Sequence, residues 1–206
     1  MVHRRYLNRS RYIKGWVGWG AKPPFDAELV LIDGREERRV PVKDIPIRLS
    51  HLALLADCRF LLVSGRTSRI TAAEETWRAN ALVFSRLGSP EGEFCIGDDI
   101  PALVTDRSGG IWTEYGDEGI YGGHPESGGG LAGWTPEGRA MWLPQGRLPD
   151  VPLEGLTAAT EDDGVWLLWY SGGSRAGTYL TRVTPSTGEV TSYRVSFAVH
   201  RASARW

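Results

Sequence analysis

The sequence predicts an all-β chain assembled from repeated antiparallel sheets, and three observations predict it. First, 26 Gly, 12 Pro and 9 Trp among 206 residues combine many turns with many aromatics to bury, which suits short strands better than helices. Second, "VTDRSGGIW" (104–112) and "AATEDDGVW" (158–166) align without a gap. Each has a small or apolar approach, a polar turn, then Gly, a β-branched residue and Trp. Third, a hairpin-like pattern recurs around the turn glycines Gly34, Gly92, Gly138 and Gly188, at roughly the 40–50-residue period of propeller blades. Together these predict a β-propeller-like array of about four four-stranded blades, either a small closed ring or a partial propeller.

The elements follow in chain order within a single domain, 1–206. Residues 1–25 are a basic N-terminal arm or the first inner strands, with Trp16 and Trp19 in "KGWVGWG" forming a strand or an exposed aromatic patch. Residues 26–50 hold a half-blade, "AELVLIDGREERRVPV" (27–42), with no clear first half before it. The blade over 51–97 opens on a weaker copy of the short pattern, "LLADCRFLLV" (54–63), in which the turn glycine is missing. It closes on "NALVFSRLGSPEGEFCI" (80–96). Between them "ITAAEETWRANAL" (70–82) has helical composition but reads as a loop insertion. The blades over 98–147 and 148–197 carry the two clear repeats, with Gly110, Trp112 and Gly138 in one and Gly164, Trp166 and Gly188 in the other as structural positions. "VWLLWY" (165–170) is apolar throughout, as expected of a strand covered on both faces. The tail 198–206 ends without a fresh repeat and is placed to close the ring against the half-blade.

"IPALVTDRSGGIWTEYGDEGIYG" (100–122) resembles the propeller repeats of two-component-regulator sensory regions, with their D-x-x-G-x-(I/L)-W core. "EDDGVWLLWY", followed by "TRVTPSTGEVTSYRV", resembles the repeat of streptogramin lyase and its relatives. The stretch Tyr115–Gly122 is similar to one in bacterial propeller-like proteins of unassigned function. The lyase resemblance implies a metal-assisted enzyme with a His base. No repeat here has a His at the matching place, so no catalytic residue is carried over.

A formal net charge of −1 gives no global field for nucleic acid or anionic membrane. Neither partner is expected, although the acid-free segment 1–22 interleaves Arg4, Arg5, Arg9 and Arg11 with Tyr6 and Tyr12. Only three of the 24 basic residues are Lys, which reads as coding bias. The N-terminus lacks the apolar core of a secretory signal, so the chain is expected to be cytoplasmic. Cys58 and Cys95 are accordingly expected as buried free thiols and not as a disulfide.

The site candidates lie where a rigid scaffold would present loops. Asp117 and Glu118, fenced by glycines, leave the strand carrying Trp112. They are grouped with Tyr115, Tyr121 and His124, and with Arg175 from the matching loop "SGGSRAG" of the next blade. Acid on one loop and base on its neighbour would form an ion pair between blades or flank a polar ligand. The wider acidic segment 91–118 has the residue types for Ca²⁺ but no ligand spacing. Asp98, Asp99 and Asp106 serve equally well as turn residues. No cofactor is therefore expected, and the metal question stays open. "SGRTSR" (64–69) has the composition to cradle an anion but leads into no helix. The leading expectation is a non-catalytic binding module for an unidentified small molecule or protein; the alternative is a lyase of the streptogramin type.

Overall fold

The computed structural model describes residues 12–13, 16–17, 23–71 and 76–196. The expectations for the basic arm, for Trp19 and for the tail beyond 196 lie outside these residues. So do the side chains of 12–13 and 16–17, whose strands β1 (Tyr12–Ile13) and β2 (Trp16–Val17) pair with each other. The chain is all-β. A hairpin of β3 (Phe25–Asp33) and β4 (Glu36–Ile45) is followed by three four-stranded antiparallel sheets, each an up-and-down meander. Sheet 1 is β5 (His51–Leu54), β6 (Phe60–Val63), β7 (Ala81–Phe84) and β8 (Pro90–Phe94). Sheet 2 is β9 (Ala102–Thr105), β10 (Ile111–Glu114), β11 (Leu131–Trp134) and β12 (Ala140–Trp142). Sheet 3 is β13 (Pro152–Glu161), β14 (Gly164–Ser171), β15 (Gly177–Thr184) and β16 (Glu189–Val195). The fourth unit is thus a two-stranded hairpin and not a full sheet. Among the described residues no helix is long and apolar enough to cross a membrane.

One turn closes four of the hairpins. At 55–59, 85–89, 106–110 and 135–139 the first residue's N–H reaches the fifth residue's carbonyl, and the fourth residue's N–H reaches the first residue's carbonyl. This is the three-residue loop that needs a left-handed residue before the returning strand. That residue is Gly88, Gly109 or Gly138 in three copies, and Cys58, at φ 63°, in the fourth. Two expectations change as a result. Gly92 is not a turn residue but lies within β8, the turn role belonging to Gly88. Cys58 is exposed instead of buried, because a turn tip offers nothing to cover it.

The two clear repeats use different turns despite their gapless alignment. At 106–110 the Asp106 carboxylate holds the turn together, accepting the Ser108 and Gly110 N–H groups through Oδ1 and the Trp112 indole N–H at 2.8 Å through Oδ2. This gives a physical reason for Asp and Trp at that spacing. The second copy has Thr160 in place of Asp106, and its strands run on to a tight turn at Asp162-Asp163, with Asp162 at φ 49°. The slip shows in the register: Trp112 lies opposite Val104, whereas Trp166 lies opposite Ala159, one step beyond the aligned Ala158.

Three apolar layers separate the units. Leu29, Val40, Val42 and Ile45 of the hairpin meet Phe60, Leu62, Leu82 and Phe84 of sheet 1. The other face of sheet 1, with Leu61, Val63 and Val83, meets Ile111, Tyr115, Ala132 and Trp134 of sheet 2. Trp112, Leu131 and Trp142 then meet Val165, Leu167, Trp169, Tyr179 and Val183 of sheet 3. Middle strands β6, β7, β10 and β11 are therefore buried at every residue. β14 is not, contrary to the reading of "VWLLWY". Val165, Leu167 and Trp169 are buried, while Trp166 and Leu168 are half-buried and Tyr170 is exposed. Among the described residues no further sheet covers that face. The first strands β5, β9 and β13 are neighbours in sequence order, so the segments that follow β6, β10 and β14, from residues 64, 115 and 172, leave their sheets at the same end. Of the helical-looking segment, 76–80 run as loop into β7 and 72–75 lie outside the described residues.

Candidate functional site

The loop end is tied together by side chains reaching between sheets. Asn80, buried at the foot of β7, donates to the Ser64 and Gly97 carbonyls and accepts the Ile96 N–H. Asp98, also buried, accepts the Thr67 N–H at 2.8 Å and the Arg66 Nε at 3.1 Å, and its own N–H donates to Ser127 Oγ. Arg66 extends outward from Asp98 to pair with Glu118 on the loop of sheet 2. The ion pair expected with Arg175 of the following loop is not the one found: Glu118 pairs with Arg66 of the preceding sheet. Arg175 bonds instead from its loop to the segment leading into β13 of its own sheet, its N–H to Asp150 Oδ2 and its guanidinium to the Pro149 carbonyl. Asp150 anchors that loop by also accepting the Ser171 hydroxyl at 2.7 Å. Those bonds, led by Ser171's, hold the Asp150 carboxyl below its usual range.

The other candidates divide between core and surface. Tyr115 is fully buried and faces no ligand: its hydroxyl donates to the Ile96 carbonyl and accepts from Thr113 and Trp134. Burial keeps its phenol from ionising in any ordinary pH range. Tyr121 stands out, 72% exposed. Asp117 and Glu118 are exposed as expected, yet they are not free of helix duties. They form the first turn of the one-turn helix α1 (Asp117–Tyr121), where acids suit the unpaired N–H groups.

His124 lies 95% out of solvent, and its ring forms the middle of a row. Its Nε2 is 3.3 Å from Cys95 Sγ, and its Nδ1 is 3.3 Å from Glu126 Oε2 without hydrogen-bond geometry. Trp77 packs on the ring at 4.8 Å, with Arg69 over the indole at 5.5 Å. Burial is the leading influence on both members of the dyad: it raises the Cys95 thiol and lowers the His124 imidazole. Both shifts favour the neutral forms. A thiol so held is a poor nucleophile, because the thiolate is the reactive form. We expect native protein to react with a maleimide at Cys58 within the first phase and at Cys95 only slowly. Denatured, unreduced protein should give two thiols; equal native rates would overturn this account of Cys95.

Two further features border the loop end. Beneath it, on the last residue of β10, Glu114 is fully buried with neither carboxyl oxygen hydrogen-bonded. Gly155 of β13 lets it approach, since a Cβ there would sit 2.4 Å from the Glu114 Cβ. The Leu156, Thr157 and Leu168 N–H groups are near enough to favour the charged form, but burial outweighs them and raises the carboxyl well above its usual range. On the hairpin side, a cavity of about 300 Å³ opens among Arg48, Arg66, Ser68 and Arg78. A larger groove of about 620 Å³ runs along the outer strands between Pro41 and Pro90, with mixed charges from Lys43, Asp44, Glu91 and Glu93 on its walls.

Arg66, Asn80, Cys95 and Asp150 were not among the candidates. "SGRTSR" was the one available signal for Arg66, and nothing local marks the rest. Among the described residues no group of three or more His, Cys, Asp or Glu is placed to hold a metal ion. Neither a protein-family model nor a curated protein matches the chain.

Proposed function

We propose that the chain is a β-propeller-like binding module whose ligand face is the loop end. The observation that carries this reading is the convergence of segments 64–71, 76–80, 95–101 and 115–130 on one exposed ion pair, Arg66–Glu118, above a buried polar frame. Sheets stacked through continuous apolar layers hold those loops, and loops on a rigid scaffold are where binding concentrates. The stacked meanders and the D-x-x-G-x-I-W turn also support kinship with propeller repeats of regulator sensory regions. The lyase alternative has less support. Both ring nitrogens of His124 face side chains of the protein, Cys95 and Glu126, and neither is turned toward a substrate.

The test is to map hits from a chemically diverse fragment library by amide shifts on the full chain. Hits are expected to move residues 64–69, 95–101 and 115–127, and hits confined to other surfaces would end the proposal. Asp117→Ala with Glu118→Ala should abolish those shifts. Exposed pairs contribute only about 0–1 kcal/mol, so the melting temperature should fall by no more than about 4 °C. A much larger fall would make the loop structural.

A further inference from the structure

We infer that the cavity beside the 64–69 loop binds a phosphate group carried on a small ligand. The inference rests on the reading of the loop end as a binding face and adds the chemistry of what binds there. Three arginines reach the cavity from three separate segments: Arg48 from the approach to β5, Arg66 from the loop after β6, and Arg78 from the approach to β7. No acid lines it. Arg66 is already held by Asp98 and Glu118. Arg48 and Arg78 form no ion pair among the described residues.

Two arginines lining one concavity with no ion pair among the described residues are a local feature, since the chain as a whole carries a formal charge of −1. Positive charges lining one cavity repel, and a dianion bound there removes that repulsion. A phosphate monoester matches the two charges, and its oxygens accept from planar guanidinium forks in pairs. A monocarboxylate would satisfy one arginine and leave the other. Ser68 adds a hydroxyl to the lining.

The walls are fixed before any ligand arrives. Ser64 Oγ donates to the Arg66 carbonyl, Thr67 Oγ1 to the Arg78 carbonyl, and Asn80 ties the Ser64 carbonyl to Gly97. Little ordering is then required on binding, which favours affinity. A volume of about 300 Å³ lies at the small end of ligand pockets. It suits a phosphate with a short organic group rather than a nucleoside triphosphate.

The experiment follows amide shifts of residues 64–69 and 78–80 at constant, low ionic strength. Inorganic phosphate, glycerol phosphate and acetate are titrated separately. Saturable shifts are expected with both phosphates and not with acetate. Tighter binding of the ester would identify a phosphorylated metabolite as the source; equal binding would identify free phosphate. Arg48→Gln and Arg78→Gln should each weaken binding about tenfold, the loss of one charge-assisted contact, while Arg86→Gln on the opposite end leaves it unchanged. Absence of saturation, acetate equal to phosphate, or indifference to both arginine variants would overturn the inference. If library fragments still map to Arg66 and Glu118 while phosphate fails, this inference alone falls. If both fail, the binding-face reading falls with it.

Discussion

Trp112→Ala is expected to cost about 3–5 kcal/mol of stability, the usual range for emptying a fully buried aromatic site. Trp166→Ala, at the matching repeat position, should cost less than about 2 kcal/mol, since only part of its area leaves water on folding. Trp112 is completely buried between sheets 2 and 3, 5.5 Å from the Trp142 ring, and it donates to Asp106. Its loss opens a cavity that two stacked sheets cannot collapse and removes the tie between strand and turn. Trp166 sits half-exposed on the outer face of sheet 3, beside Tyr193 and under Arg182. Urea unfolding of both variants, followed by far-UV circular dichroism, makes the comparison. Equal losses would mean that something covers sheet 3's outer face as fully as sheet 3 covers sheet 2.

The second large effect is on pH dependence. Burial outweighs the nearby backbone N–H groups at Glu114 and raises its folded pKa above the unfolded value, near 4.3. The folded state therefore holds a proton that the unfolded chain releases. This contribution to stability is fully present below about pH 4 and is lost as pH rises through the folded pKa. Within that window each pH unit removes about 1.4 kcal/mol. Glu114→Gln keeps the shape and cannot ionise, so it should match the parent near pH 4 and exceed it increasingly toward pH 8. The difference between the two chains isolates this group from other titrating carboxyls such as Asp150. A pH-independent difference would show that Glu114 is charged and satisfied in the folded protein.

Both predictions concern residues whose roles are only half legible along the chain. The D-x-x-G-x-I-W stretch specifies its own turn, because Asp106, Gly109 and Trp112 bond or bend within seven residues. Its β10 strand and the return at Gly138 were readable for the same reason. The gapless alignment of 104–112 with 158–166 concealed a change of turn, since loss of the Asp106 carboxylate leaves no local group to hold the longer loop. The site was less legible. Asp117 and Glu118 are exposed on the loop end, but Tyr115 is core. Arg175 bonds to the approach to β13 of its own sheet, and Arg66, 52 residues before Glu118, takes the pairing role.

The sequence by itself determined the all-β class, the repeated hairpins and the turn chemistry. These depend on contacts within about ten residues, where residue type and spacing dictate the backbone. The tertiary structure alone decided which strand faces are covered, where the buried acid lies and which cation meets which carboxylate. Strand alternation fixes that Ile111 and Trp112 point to opposite sides. Which neighbour awaits each side depends on where the sheet falls in the stack. Trp112 and Trp166 differ for that reason: sheet 2 has a sheet on either side, and the outer face of sheet 3 is covered by no other described sheet.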